Sequence, residues 1–208
     1  MEQIGVKELY QMFFLSFEKI EKEKEEINKI NLFPVPDQDT GTNLLKTLEG
    51  IKEAIEGKNF QTTQEIASTA LEGAINKAQG NAGVIYTGFL AGFLSKLDKN
   101  PLDAKKLAQA FLAGKERAMR SILNPKEGTI LDVISATADS FSKEAEKEKD
   151  IIKIFKKTIE KAKEALWQTR EKMDIFKKAN VVDAGGLGFL MILESYLEAL
   201  TPEEKADK

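Results

Sequence analysis

Cysteine and histidine are both absent from the 208 residues. The first absence excludes disulfides, thiol nucleophiles and thiolate zinc sites. The second removes the commonest general base and the commonest transition-metal ligand. Chemistry is left to carboxylates, amides, hydroxyls, lysines and backbone groups, a set suited to hard cations and phosphate. No apolar run approaches the ~20 residues that span a bilayer. The first residues, with Glu2 and Lys7, lack a signal-peptide pattern, so the expected location is the cytoplasm. Basic charge is not in excess either: 31 Lys+Arg stand against 34 Asp+Glu, a net charge of −3. That balance argues against nucleic-acid binding through bulk charge. In the run 18–26, lysines and glutamates interleave, which reads as a solvated helix face.

Alternating β-type segments are missing as well, and apolar spacing is helical nearly throughout. Val6, Leu9, Tyr10, Phe13, Phe17 and Ile20 mark one face of a long first helix. Further helices are predicted over 42–56 and 62–78, the latter with Ile66, Ala70, Leu71, Ala74 and Ile75 inward. A fourth follows Gly80-Asn-Ala-Gly83 and carries Val84, Ile85, Phe89, Leu90 and Leu94. A fifth follows Pro101, with Leu107, Ala108, Phe111, Leu112 and Met119 on its face. Thr129 and Asp150 are placed as N-caps of the sixth and seventh. A turn at Ile175-Phe176 leads to the eighth, which holds Leu187, Leu190, Met191, Leu193, Tyr196 and Leu197. The expectation is one all-α domain over 1–200, an eight-helix antiparallel barrel or bundle, and a disordered tail at 201–208.

The densest signal outside this periodicity is the segment 31–43, Asn-Leu-Phe-Pro-Val-Pro-Asp-Gln-Asp-Thr-Gly-Thr-Asn. Two prolines stiffen the approach, and Gly41 permits a tight path into the next helix. Asp37 and Asp39, one residue apart, can converge on one hard cation. Magnesium accepts one or two carboxylates and keeps its other positions for water and phosphate oxygens. Thr42 and Asn43 fall at a helix start, where amide N–H groups favour an anion. An EF-hand fails on spacing, because the twelfth position from Asp37 is Leu48. The same residues also read as an acidic turn that only caps a helix.

Three further glycine-bearing junctions stand out. Gly80-Asn-Ala-Gly83 can bring backbone amides to a phosphate or be a simple turn; it lacks the Gly-Lys-Ser/Thr ending of a Walker loop. Gly128-Thr129 reads as an N-cap, which Asp132 can complete in the manner of a capping box. Asp183-Ala-Gly-Gly186 is either a helix start or a nucleotide contact.

Taken in order, these four segments resemble the nucleotide-binding domain of bacterial fatty acid kinases, which is related to the DhaL-like ATP-binding subunit of dihydroxyacetone kinases. The family's Asn-x-Phe-Pro-Val-Pro-Asp-Gly-Asp-Thr-Gly-Thr-Asn, Gly-Asn-Ser-Gly, Pro-x-x-Gly-Thr and Val-Val-Asp-x-Gly-Gly match residues 31–43, 80–83, 125–129 and 181–186. The resemblance implies an eight-helix barrel that binds ATP and two Mg2+ ions in a nucleotide site at one end. Asp37 and Asp39 would hold metal and carry catalysis, with Asn31 as a further metal candidate. Thr42, Asn43, Gly80, Asn81, Ala82 and Gly83 would surround the phosphates, and Thr129, Asp183 and Gly185 would make nearby nucleotide contacts. It further implies phosphorylation of a fatty acid presented by a separate carrier protein, giving an acyl phosphate, and self-association through domains outside this chain. A protein-bound ketose as acceptor and a non-catalytic nucleotide-binding module are the alternatives. Three positions depart from the pattern: Gln38 stands in place of glycine, Ala82 in place of serine and Gln79 in place of a common arginine. If position 38 requires φ > 0, glutamine there costs about 1 kcal/mol or more.

Overall fold

The computed structural model describes residues 1–201, and nine helices with no extended strand make up their regular structure. They are α1 (Val6–Lys29), α2 (Thr40–Ile55), α3 (Thr63–Lys77), α4 (Gly80–Leu94), α5 (Ala104–Arg120), α6 (Ile130–Ala145), α7 (Ile151–Lys172), α8 (Asp174–Ala179) and α9 (Ala184–Leu200). Eight are long, as the spacing predicts. The ninth, α8, occupies the place expected for a plain turn. Apart from Thr201, the tail expected at 201–208 lies outside the described residues.

Each long helix packs on its neighbour in sequence from α1 to α7, and α9 packs on both α7 and α1. The eight long helices therefore close into a ring, the barrel expected from their amphipathic faces. Phenylalanines fill the middle. Phe89, Phe111, Phe141, Phe155 and Phe189 are fully buried, and the Phe111 and Phe141 rings lie 4.8 Å apart. Burying one such ring is worth roughly 1.5–3 kcal/mol. Where α2 crosses α3, Gly50 and Gly73 face each other, and a Cβ on either would collide with the other's carbonyl oxygen.

Helix starts follow their capping residues. The side chains of Thr129 and Asp150 accept from Leu131 N and Ile152 N, as expected of N-caps. Asp132 reaches Gly128 N at 2.9 Å, one residue short of the reciprocal bond of a capping box. Four residues expected to face inward are exposed instead: Ile75, Val84, Leu112 and Met119. Ile75 is displaced because α3 turns its small face, Ala70, Gly73 and Ala74, toward α2. Val84 belongs to the wall of the cavity described next. The charge run at the end of α1 is solvated as predicted, but Ile27 and Asn28 directly after it are buried.

Candidate functional site

Alternate helices of an up-and-down ring start at the same end. Here the starts of α2, α4, α6 and α9 gather around one cavity of about 740 Å³. Each helix start carries about half a positive charge from its aligned peptide dipoles. Four of them around one space favour an anion strongly, provided their amides are not already taken.

Most are taken. At α2, Asn31 Oδ1 accepts from Asp39 N at 3.1 Å, Thr40 N at 2.9 Å and Thr40 Oγ1 at 2.6 Å. Asn28 Oδ1 accepts from Gly41 N at 2.8 Å and Thr42 N at 3.3 Å, and Asn28 Nδ2 donates to Thr42 Oγ1. The amide of Thr42, expected to favour an anion, is thus bound from behind, together with that of Gly41, by a side chain of α1. The amide of Asn43, of which the same was expected, donates to Asp39 O at 2.8 Å. At α6 and α9 one carboxylate serves both starts: Asp183 Oδ2 accepts from Ile130 N and from Gly186 N, each at 2.8 Å. The start of α4 is different. Its N-cap, Gln79, makes no side-chain cap, and Gly80, Asn81 and Ala82 line the cavity. The segment 80–83, expected as a loop, is the first turn of this helix.

The asparagine clamps also determine what the aspartates do. Asp39 occupies the N-cap position of α2, yet its carboxylate makes no capping bond. Asn31 has taken that role, so the Asp37 and Asp39 carboxylates are both left at the cavity wall. Partial desolvation and then the adjacent Asp39 carboxylate hold the Asp37 carboxyl above its usual range. A cation placed there would relieve the repulsion. Asn31 itself has no lone pair to spare. Its oxygen takes three donors and its nitrogen donates to Phe33 O and Val35 O, so the metal role expected of it gives way to a structural one.

Gln38, between the two aspartates, has φ +55°. The left-handed conformation that favours glycine is therefore present, and glutamine adopts it. Of the residues expected at the nucleotide, Asn43, Thr129 and Gly185 line the cavity, whereas Thr42 and Gly83 do not: Thr42 faces Asn28, and Gly83 packs against Thr47. Asp183 lines the cavity but is buried, and burial raises its carboxyl from 3.8 to about 7, opposed by the two amides it accepts from. Its first role is to tie α6 to α9.

Residues 34–198 match the DAK2 domain. The chain belongs to the DAK2 domain family. Relatives include an uncharacterized protein of Staphylococcus haemolyticus, 35% identical over 176 residues, which cover 84% of this chain and 32% of the relative. An uncharacterized protein of Staphylococcus aureus is 35% identical over 179 residues, 86% of this chain and 33% of the relative. The chain thus spans about a third of the length of the curated relatives it matches. Its fold is similar to that of the dihydroxyacetone kinase from C. freundii in complex with AMP-PNP and Mg2+, with a TM-score of 0.68, 12% identity, and 91% of this chain and 33% of that chain covered. The native form of that kinase gives a TM-score of 0.65 at 14% identity over 91% and 34%.

Three parts of the site in this DAK2 domain escaped the sequence reading. Thr40 lines the cavity beside Asp39 and is held by Asn31. Asn28 supports the start of α2 from outside any motif. The third is an apolar wall of Val84, Ile85, Ile122, Leu123 and Ile130, in which Leu123 is 98% exposed at the mouth. Among the described residues, no cluster of three or more acidic, histidine or cysteine side chains is present, so a metal here would rely on two carboxylates. No described helix is long and apolar enough to cross a membrane.

Proposed function

We propose that this DAK2 domain is an ATP- and Mg2+-dependent phosphotransferase module. The observation that carries the reading is the pairing, at one cavity, of two uncapped carboxylates with the unclaimed N-terminal amides of α4. Two aspartates and no nitrogen or sulfur donor suit magnesium, which binds through one or two carboxylates and leaves its other positions to water and phosphate oxygens. Bound by Asp37 and Asp39, such ions would neutralise charge on a polyphosphate and on the phosphoryl group in transfer. The chain's own part is to position. Asn28 and Asn31 fix the start of α2, the α4 amides orient phosphate oxygens, and the apolar wall takes the base. The likeness in fold to a kinase solved with AMP-PNP and Mg2+ supports this reading.

For the acceptor, we take a fatty acid carboxylate presented by a separate carrier protein, giving an acyl phosphate. With no histidine in the chain, an acceptor already ionised at neutral pH needs no general base. The whole assembly would include domains beyond this third of its relatives' length. One observation favours a second reading, a nucleotide-binding module without catalysis: Gln38 strains the segment between the two aspartates. Calorimetric titration of ATP, with and without magnesium, into the chain and into Asp37→Ala tests the site. The expected result is magnesium-dependent binding that is lost in the variant; equal binding by both would refute the assignment. Magnesium-dependent binding without ADP release in the presence of a fatty-acid-loaded carrier would select the second reading.

A further inference from the structure

The charges around the cavity are unequal. Asp37, Asp39 and Asp183 contribute carboxyl groups, and Lys126 is the one basic residue among the described residues that line it. Lys126 lies in the connection between α5 and α6, beside Asn124, which also lines the mouth. In a ring of eight long helices α2 and α6 stand four places apart, so the α6 start faces the α2 start across the barrel end. Lys126 therefore approaches from the side opposite the two aspartates, with the open amides of α4 between them.

Its backbone is held and its ammonium is not. Thr129 Oγ1 donates to Lys126 O at 2.7 Å, and Gly128 N donates to Asp132 Oδ2, which fixes the connection to the start of α6. The neighbouring cation, Lys172, is already committed to Asp132 at 2.8 Å and faces Glu127. Lys126 forms no ion pair among the described residues. An exposed lysine at a cavity mouth, with no partner and an anchored carbonyl, has a flexible four-carbon reach toward an anion.

We propose that Lys126 is the polyphosphate-binding cation of this site, its ammonium contacting non-bridging phosphate oxygens of a bound nucleoside triphosphate from the side opposite Asp37 and Asp39. This rests on the phosphotransferase reading above and adds a residue to it. Magnesium on the aspartate side leaves negative charge on the phosphate oxygens that point away from it, and a lysine there completes the neutralisation that phosphoryl transfer requires.

The test is calorimetry of the wild-type chain, Lys126→Ala and Lys126→Arg with three probes: MgATP, magnesium tripolyphosphate and adenosine. Lys126→Ala is expected to weaken MgATP and tripolyphosphate about tenfold, the scale of one charge-assisted contact at a partly exposed position. Adenosine affinity should be unchanged, and Lys126→Arg should recover most of the loss. The fold tolerates the change, because the Thr129 bond goes to the backbone, and matched melting temperatures check this. Unchanged MgATP affinity in Lys126→Ala, with wild-type binding intact, overturns the assignment of Lys126 alone. Equal loss for adenosine also overturns it, since that assigns the side chain to the base wall. Absence of MgATP binding in the wild type brings down the nucleotide reading and this proposal with it.

Discussion

Asn31 separates a structural reading of the loop 31–39 from a metal-binding one. In the structure its side chain, 1% exposed, accepts three donors at the start of α2. Asn31→Ala strands two backbone amides and the Thr40 hydroxyl. Loss of an N-cap costs about 1–2 kcal/mol, and a further stranded group adds about 1 kcal/mol, reduced where water can reach it. The expected loss is about 2–3 kcal/mol, which lowers Tm by about 4–12 °C in a chain of this size. Thermal and urea unfolding without added metal measure it directly. Asn31→Asp keeps the acceptor but removes the donations to Phe33 O and Val35 O, so it should fall between the wild type and Asn31→Ala. The reasoning is refuted if Asn31→Ala melts with the wild type in metal-free buffer and loses only the stabilisation that magnesium gives. That pattern belongs to a ligand, not to a clamp.

Gln38→Gly should stabilise the chain by about 0.5–1 kcal/mol, because a left-handed glutamine costs about 1–2 kcal/mol and glycine's extra unfolded-state freedom returns part of that; a lower urea midpoint in the variant would contradict this. Gly73→Ala should cost about 3 kcal/mol by forcing α3 away from the Gly50 carbonyl, read as a fall in Tm without loss of helical circular dichroism below the transition. Burial, with a smaller contribution from Asp132, raises Asp183 from 3.8 to about 7, so the folded chain binds this proton more tightly than the unfolded one; the resulting stability is complete below pH 3.8 and is lost as pH rises through about 7, a span of about 4 kcal/mol. Asp183→Asn should flatten that part of the stability curve between pH 5 and 8, and an unchanged slope would assign it to another group.

The eight long helices were legible because each keeps an apolar stripe at helical spacing over four turns or more. α8 was not, since six residues with Phe176 alone buried carry no period. The glycines at 80–83 read as a turn because glycine disfavours helix interiors; what retains them is contact. A side chain at Gly80 would run into Asn43, and one at Gly83 would meet Thr47 Oγ1 at 2.7 Å. The aspartates stood out through local density on one stiffened loop. Asn28 could not, because it lies at the end of a charged run and acts on residues thirteen and fourteen positions later. Asn31 became a metal candidate through the family resemblance, and a matched motif does not reveal which lone pairs are occupied.

The identity of the caps bears on how the site holds its charge. Four positive helix ends surround the cavity, and an aspartate capping each would cancel the field that draws in a polyphosphate. At α2 the caps are the neutral amides of Asn28 and Asn31, although Asp39 occupies the capping position. At α6 and α9 one carboxyl serves two starts, and burial holds it at about 7, so near neutrality it carries only part of its charge. The Asp37 and Asp39 carboxylates are not used to cap the start of α2 and stay at the cavity wall, where a hard cation can meet them. Amide capping thus preserves the anion-attracting ends while leaving both aspartates to the metal. Replacing Asn28 with aspartate would test this balance: the start of α2 should stay capped, with Tm near that of the wild type, while affinity for magnesium-free ATP falls.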